Sequence, residues 1–160
     1  MTSKSSNIVL FNDEQIRRDW DAKEQKYYFS VIDIVKALSN STNPRDYWFK
    51  MKIRVKSEDG LELSTICRQL KMVASDGKLR MTDAADTESI FRIIQSIPSP
   101  NAEPMKRWLA RVGYERIEET EDPEKAIQRA LSTYLKKGYT KSWVDLRLKS
   151  IEIRKDLTNE

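Results

Sequence analysis

The sequence contains no histidine. That excludes Ser-His-Asp and Cys-His catalysis and removes the commonest side-chain ligand of transition metals. It contains one cysteine, Cys67, so no internal disulfide can form and no cysteine-rich zinc site can be built. No apolar run approaches the ~20 residues that cross a bilayer. Residues 1–7 lack the basic start and apolar middle of a secretory leader. These absences predict a soluble cytoplasmic protein without membrane contact. Hydrolytic or metal chemistry would be left to carboxylates, lysine and tyrosine.

What is present is charge. The chain has 160 residues, which suits one domain, or one domain with a helical extension. Its hydrophobic fraction of 39% is ordinary, but its charged fraction of 34% exceeds the usual ~25%. The net charge of +4 is concentrated. Residues 41–56 hold five cations against one acid, a surplus equal to that of the whole chain. A local surplus of this kind is the electrostatic footprint of a phosphate-binding surface, or else a solvated charged face.

Local signals give an α+β chain: a small antiparallel sheet of hairpins packed with several helices, then a C-terminal helical pair. Ile8–Phe11, Gln15–Trp20 and Tyr27–Phe29 read as strands, with a turn at Asp21–Glu24. Ser30 can cap a helix whose buried stripe is Val31, Ile34, Val35 and Leu38, with Asp33 in its first turn. Leu63, Ile66, Cys67 and Leu70 have helical spacing, so Leu61–Leu70 is predicted helical, with Cys67 as a small core residue. A second hairpin turns at Ser75-Asp76-Gly77. Asp83, Asp86 and Glu88 crowd the start of a helix carrying Ile90, Phe91, Ile94 and Ile97, stopped by Pro98. Asn101 opens another, with Met105, Trp108, Leu109 and Val112 inward. Asp122-Pro123 starts a helix with the stripe Ile127, Ala130, Leu131, Tyr134 and Leu135, and Gly138 ends it. Thr140 caps a last helix with Val144, Leu148 and Ile151. The final pair is either a DNA-reading helix-turn-helix or a plain antiparallel pair. Trp143 serves there as a docking anchor or as core.

The stretch Asn43–Lys56, NPRDYWFKMKIRVK, admits two readings. Asn at the cap and Pro at the first helical position predict a helix from Pro44 to about Val55. Tyr47, Trp48, Met51 and Val55 then share a buried face. Arg45, Lys52 and Lys56 lie on one flank, Lys50 and Arg54 on the other, and Phe49 and Ile53 point away. As a strand, apolar and basic residues would segregate to opposite faces.

Three stretches carry a family resemblance: YYFSVIDIVKALSNSTNPRDYW at 27–48, RQLKMVASDGKLRMTDAADTESIFRIIQSIPSPNAEPMKRWLARVGYERIEE at 68–119, and KGYTKSWVDLRLKSIEIRKDLT at 137–158. Together they resemble the BRO N-terminal domain of phage antirepressors, viral BRO proteins and DNA-damage-inducible protein D. The resemblance implies an α+β domain at 1–119 that binds DNA or regulates DNA-bound proteins. It also implies that 120–160 is a helical extension opening a longer region. It brings no catalytic residues, and no cofactor or metal is expected.

Three functions follow. In the first, Arg45, Lys50, Lys52, Arg54 and Lys56 contact phosphates of duplex or single-stranded DNA, the arginines offering the planar fork that reads base edges. Four neutralised phosphates would give a salt slope near about −3.6. In the second, Phe49 and Ile53 dock a repressor, a recombinase or another DNA-repair protein. In the third, an acid-x-Lys triplet, Glu24-Lys26 or Asp76-Lys78, serves a nuclease. Such triplets arise by chance at this composition, so a non-enzymatic protein is expected.

Overall fold

The computed structural model of the chain describes residues 8–11 and 14–158. The leader-free reading of residues 1–7 falls outside them. The chain divides into two compact units, Met1–Leu109 and Ala110–Glu160.

The first unit is α+β, as the local signals predict. Five antiparallel strands, β1 (Ile8–Phe11), β2 (Glu14–Asp21), β3 (Lys26–Ser30), β4 (Arg68–Val73) and β5 (Leu79–Asp86), form a sheet of order β1-β2-β3-β5-β4. β2 serves two neighbours. Its first half pairs with β1, Ile8 opposite Arg17, and its second half pairs with β3, Arg18 opposite Phe29.

Three helices supply most of the core: α1 (Val31–Ser39), α2 (Pro44–Asp59) and α3 (Thr87–Gln95). Each begins where a polar side chain takes a free backbone N–H. Ser30 Oγ accepts from Asp33 at 3.3 Å, Asn43 Oδ1 from Asp46 at 3.2 Å, and Asp86 Oδ1 from Ser89 at 2.9 Å. Gly60, at φ +71°, ends α2 in the left-handed conformation that costs glycine little. The main core joins Ile16 and Ala85 of the sheet to Val31, Val35 and Leu38 of α1, Trp48, Met51 and Val55 of α2, and Ile90, Ile93 and Ile94 of α3. Successive strand residues alternate faces. Tyr28, Met72 and Ala84 therefore make a second, smaller cluster on the other side of the sheet. Arg17 ties β2 to α1 through a fork on Asp33 (Nε 2.8 Å, Nη2 2.9 Å), and it reaches the Val73 carbonyl at 3.0 Å.

The structure corrects several readings. Leu61–Leu70 is not a helix. A single 3-10 turn, Leu63–Ile66, buries Leu63, and the chain is extended by Cys67 and pairs with β5 from Arg68 onward. Six residues of ladder outweigh a helical spacing that local sequence alone suggests. Asp83 lies in β5, and only Asp86 caps α3. Trp108 and Val112 of α4 (Glu103–Glu121) are exposed, while Met105 and Leu109 pack on the core.

In the second unit, α5 (Pro123–Lys136) and α6 (Lys141–Thr158) follow the later turns of α4. Among the described residues of this unit, Val144 is the one apolar side chain fully covered. The stripe predicted on α5 is not buried. Ile127 is 53% and Leu135 50% exposed, and only Leu131 and Tyr134 are half-buried. Helical periodicity marks an apolar side, but burial needs a surface to cover it. Glu119 is buried beside Arg129, whose Nη2 donates to Glu119 Oε2 at 3.0 Å. Among the described residues, no helix is long and apolar enough to cross a membrane.

Candidate nucleic-acid interface

The basic stretch folds as α2, and the competing strand reading is excluded. Trp48, Met51 and Val55 form its buried stripe, and Tyr47 packs half-buried at the edge of the core. Burial pushes the Tyr47 hydroxyl above its ordinary value. At 100° per residue, that stripe sends Phe49 and Ile53 outward, and they are 58% and 56% exposed. The cations divide between the flanks, as their spacing requires.

Four of the five cations have partners. Lys50 Nζ lies 2.8 Å from Asp46 and Lys56 Nζ 2.6 Å from Glu62, with all four side chains largely exposed. Both lysines are held above their usual value by the carboxylate they contact, and Glu62 is held below its own by Lys56. Lys52 Nζ lies 3.6 Å from Asp83 and 5.3 Å over the Trp48 ring. Arg54 donates to the Ser96 carbonyl. Arg45 is exposed and has no charged partner among the described residues.

The sequence therefore overstates the size of a bare cluster. Exposed ion pairs contribute about 0–1 kcal/mol, so a phosphate can replace Asp46 or Glu62 with little loss. Lys52 and Arg54 differ, because their contacts lie within the domain's own packing. The cations open to a polyanion are Arg45, Lys50 and Lys56.

One neighbouring feature was not legible in the sequence. An open groove of about 450 Å³ is lined by Arg54, Arg92 and Lys106 together with Glu58 and Asp59. Arg92 is held there by Ser96 Oγ at 2.6 Å and by Asp59 at 3.8 Å. Its cations come from three helices, so no contiguous motif announces them.

The acid-x-Lys triplets are bound up locally. Glu24 accepts from the Tyr28 hydroxyl and from Arg68, the latter at 3.0 Å. Asp76 accepts from the Lys78 N–H at 3.0 Å and pairs with Arg80. Among the described residues, no three carboxylates or thiols gather in a way that could hold a metal ion. Cys67 packs at the core edge, where burial pushes its thiol up to about 12.

The sequence model of one family, described as "BRO family, N-terminal domain", matches residues 15–118. No curated protein and no solved structure matches the chain.

Proposed function

The chain belongs to the BRO family, and on that footing we propose that it is a non-enzymatic regulatory domain of an antirepressor-like or DNA-damage-response protein, contacting DNA through the outer side of α2. The observation that carries this reading is the state of Arg45, Lys50 and Lys56. They are exposed cations on one helix, and among the described residues their only carboxylate partners are themselves exposed. Phosphates would exchange with those carboxylates at little cost. The absence of a catalytic role is supported by Glu24 and Asp76, each engaged by neighbouring side chains or backbone.

The test is fluorescence anisotropy with a random duplex across a salt series. Three phosphate contacts give a slope of log K against log salt near about −2.7. Arg45→Glu, Lys50→Glu and Lys56→Glu combined should abolish binding while lowering the urea midpoint only slightly, since the pairs with Asp46 and Glu62 are exposed and contribute little. Wild-type protein that fails to bind duplex at about 50 mM salt would overturn the reading.

A second reading rests on Phe49 and Ile53. Two large apolar side chains exposed on adjacent turns of one helix suit a protein partner, a repressor or a recombinase, without direct DNA contact. In that case a partner captured by the wild type is lost in Phe49→Ala and retained in the charge-reversed variant.

A further inference from the structure

The turn between α5 and α6 lies outside the residues matched by the family, and its chemistry differs from that of α2. Between Glu124 and Asp145 the sequence has five cations and no acid. Two of them, Lys125 and Arg129, pair with Glu118 and Glu119. The other three, Lys136, Lys137 and Lys141, are exposed and have no partner among the described residues. They fall within six residues of chain, so their charges are not neutralised locally.

The same six residues hold Tyr139, whose ring stacks on Trp143 at 4.1 Å and 17°. Tyr134 meets both rings edge-on, at 5.8 Å and 5.5 Å. Tyr139 is 43% and Trp143 39% exposed, so the stack is open to solvent. The turn that carries it is fixed by its backbone. Gly138 adopts φ +94°, the Gly138 N–H donates to Leu135 at 3.0 Å, and the Tyr139 N–H donates to Tyr134 at 3.2 Å. The Thr140 hydroxyl caps α6 by accepting from Trp143 at 3.2 Å. A packed helix pair needs the rings as filler, but it gives no reason for three unneutralised lysines around them.

We propose that the α5–α6 turn is a binding site for single-stranded nucleic acid, in which a base extends the Tyr139–Trp143 stack and Lys136, Lys137 and Lys141 contact the flanking phosphates. The choice of strand state follows from the rings. A duplex base already has a neighbour on each face, whereas an unpaired base offers a free face for an aromatic side chain. The site is separate from α2 and does not require the role proposed for that helix.

The experiment uses the whole chain with fluorescein-labelled oligo(dT), oligo(U) and a random duplex, read by anisotropy across a salt series. The expected result is binding of a single strand in preference to the duplex. Lys136→Gln, Lys137→Gln and Lys141→Gln combined should make the salt slope shallower by about 2, at ~0.7 per single-strand contact. Tyr139→Leu should weaken single-strand binding by about tenfold, the effect of losing one stacked base. Tyr139 also packs against Tyr134, so circular dichroism melting checks that variant, and the lysine variant is independent of ring packing. Single-strand affinity and slope unchanged in the lysine variant would overturn the proposal, as would wild type that binds neither oligo(dT) nor oligo(U). Duplex binding lost only in the Arg45/Lys50/Lys56 variant, with no single-strand binding by the wild type, would leave the α2 reading standing alone. Single-strand binding lost only in the lysine variant, with no duplex binding, would leave this site and remove that reading. The ratio of oligo(dT) to oligo(U) affinity tells DNA from RNA as its source.

Discussion

Trp48 and Asp83 are joined by an indole N–H donated at 2.7 Å, and Lys52 Nζ approaches the same carboxylate oxygen at 3.6 Å. The indole is buried, so the carboxylate is its substitute for water. One acid on β5 therefore fixes two residues of the helix that carries the candidate interface. Asp83→Ala leaves the indole donor unsatisfied and should cost about 1–3 kcal/mol by urea denaturation. Asp83→Asn keeps an acceptor and should cost less. Equal costs for the two would show that volume, not the hydrogen bond, sets the effect.

The alternation of α2 makes a sharper contrast. Phe49 and Ile53 are exposed, and Met51 between them is buried. Phe49→Ala and Ile53→Ala should each move stability by less than about 0.5 kcal/mol, the range of ordinary surface changes. Met51→Ala should cost about 2–5 kcal/mol, for lost burial and the cavity left behind. Guanidinium titrations of the three variants decide it. A large cost at Phe49 would mean that it is covered in solution.

Acid should act through Asp86. Its carboxyl is held down to about 2, first by Lys26, whose Nζ lies 2.8 Å away, and then by the Ser89 N–H that it caps. A folded-state value below the unfolded one means stability that is present above about pH 4 and is lost as pH falls toward 2. The contribution at neutral pH is on the order of 1–2 kcal/mol for this mostly covered group. Asp86→Asn should lower stability at pH 7 by that amount. The gap from wild type should narrow as pH drops from 4 to 2. A gap that stays constant with pH would assign the loss to the helix cap alone.

Cys67 should be inert while the chain is folded. Burial raises its thiol to about 12, with Asp83 adding in the same direction, so almost no thiolate exists at pH 8. Its labelling by 5,5′-dithiobis(2-nitrobenzoate) should be slow in buffer and immediate in denaturant. Rapid native labelling would indicate local opening around the 3-10 turn that precedes it.

What was legible in the sequence is what neighbours in the chain decide. Ser30, the Asn43-Pro44 pair and Ser75-Asp76-Gly77 each act within a few residues, and each stands where its chemistry places it. The two flanks of α2 and the outward Phe49 and Ile53 followed from periodicity alone. What stayed hidden depends on distant partners. Trp48 meets Asp83 and Arg54 meets Ser96 only once the sheet and α3 are assembled. The stretch after Gly60 has helical spacing, but β5 arrives later in the chain and claims it as a strand. The bare lysines at the α5–α6 turn were not legible, because charge counting does not say which cations find a carboxylate.

Among the described residues, β4 borders β5 alone, so one of its sides has no strand beside it. An open side of that kind is a template for runaway assembly. Lys71 is exposed in the middle of the strand, and Arg68 at its start is anchored to Asp21 and Glu24. A second molecule trying to lengthen the sheet would meet an ammonium group that it must strip of water. The border thus works as a fence, and swapping Lys71 for valine would turn it into a gate through which fibres grow.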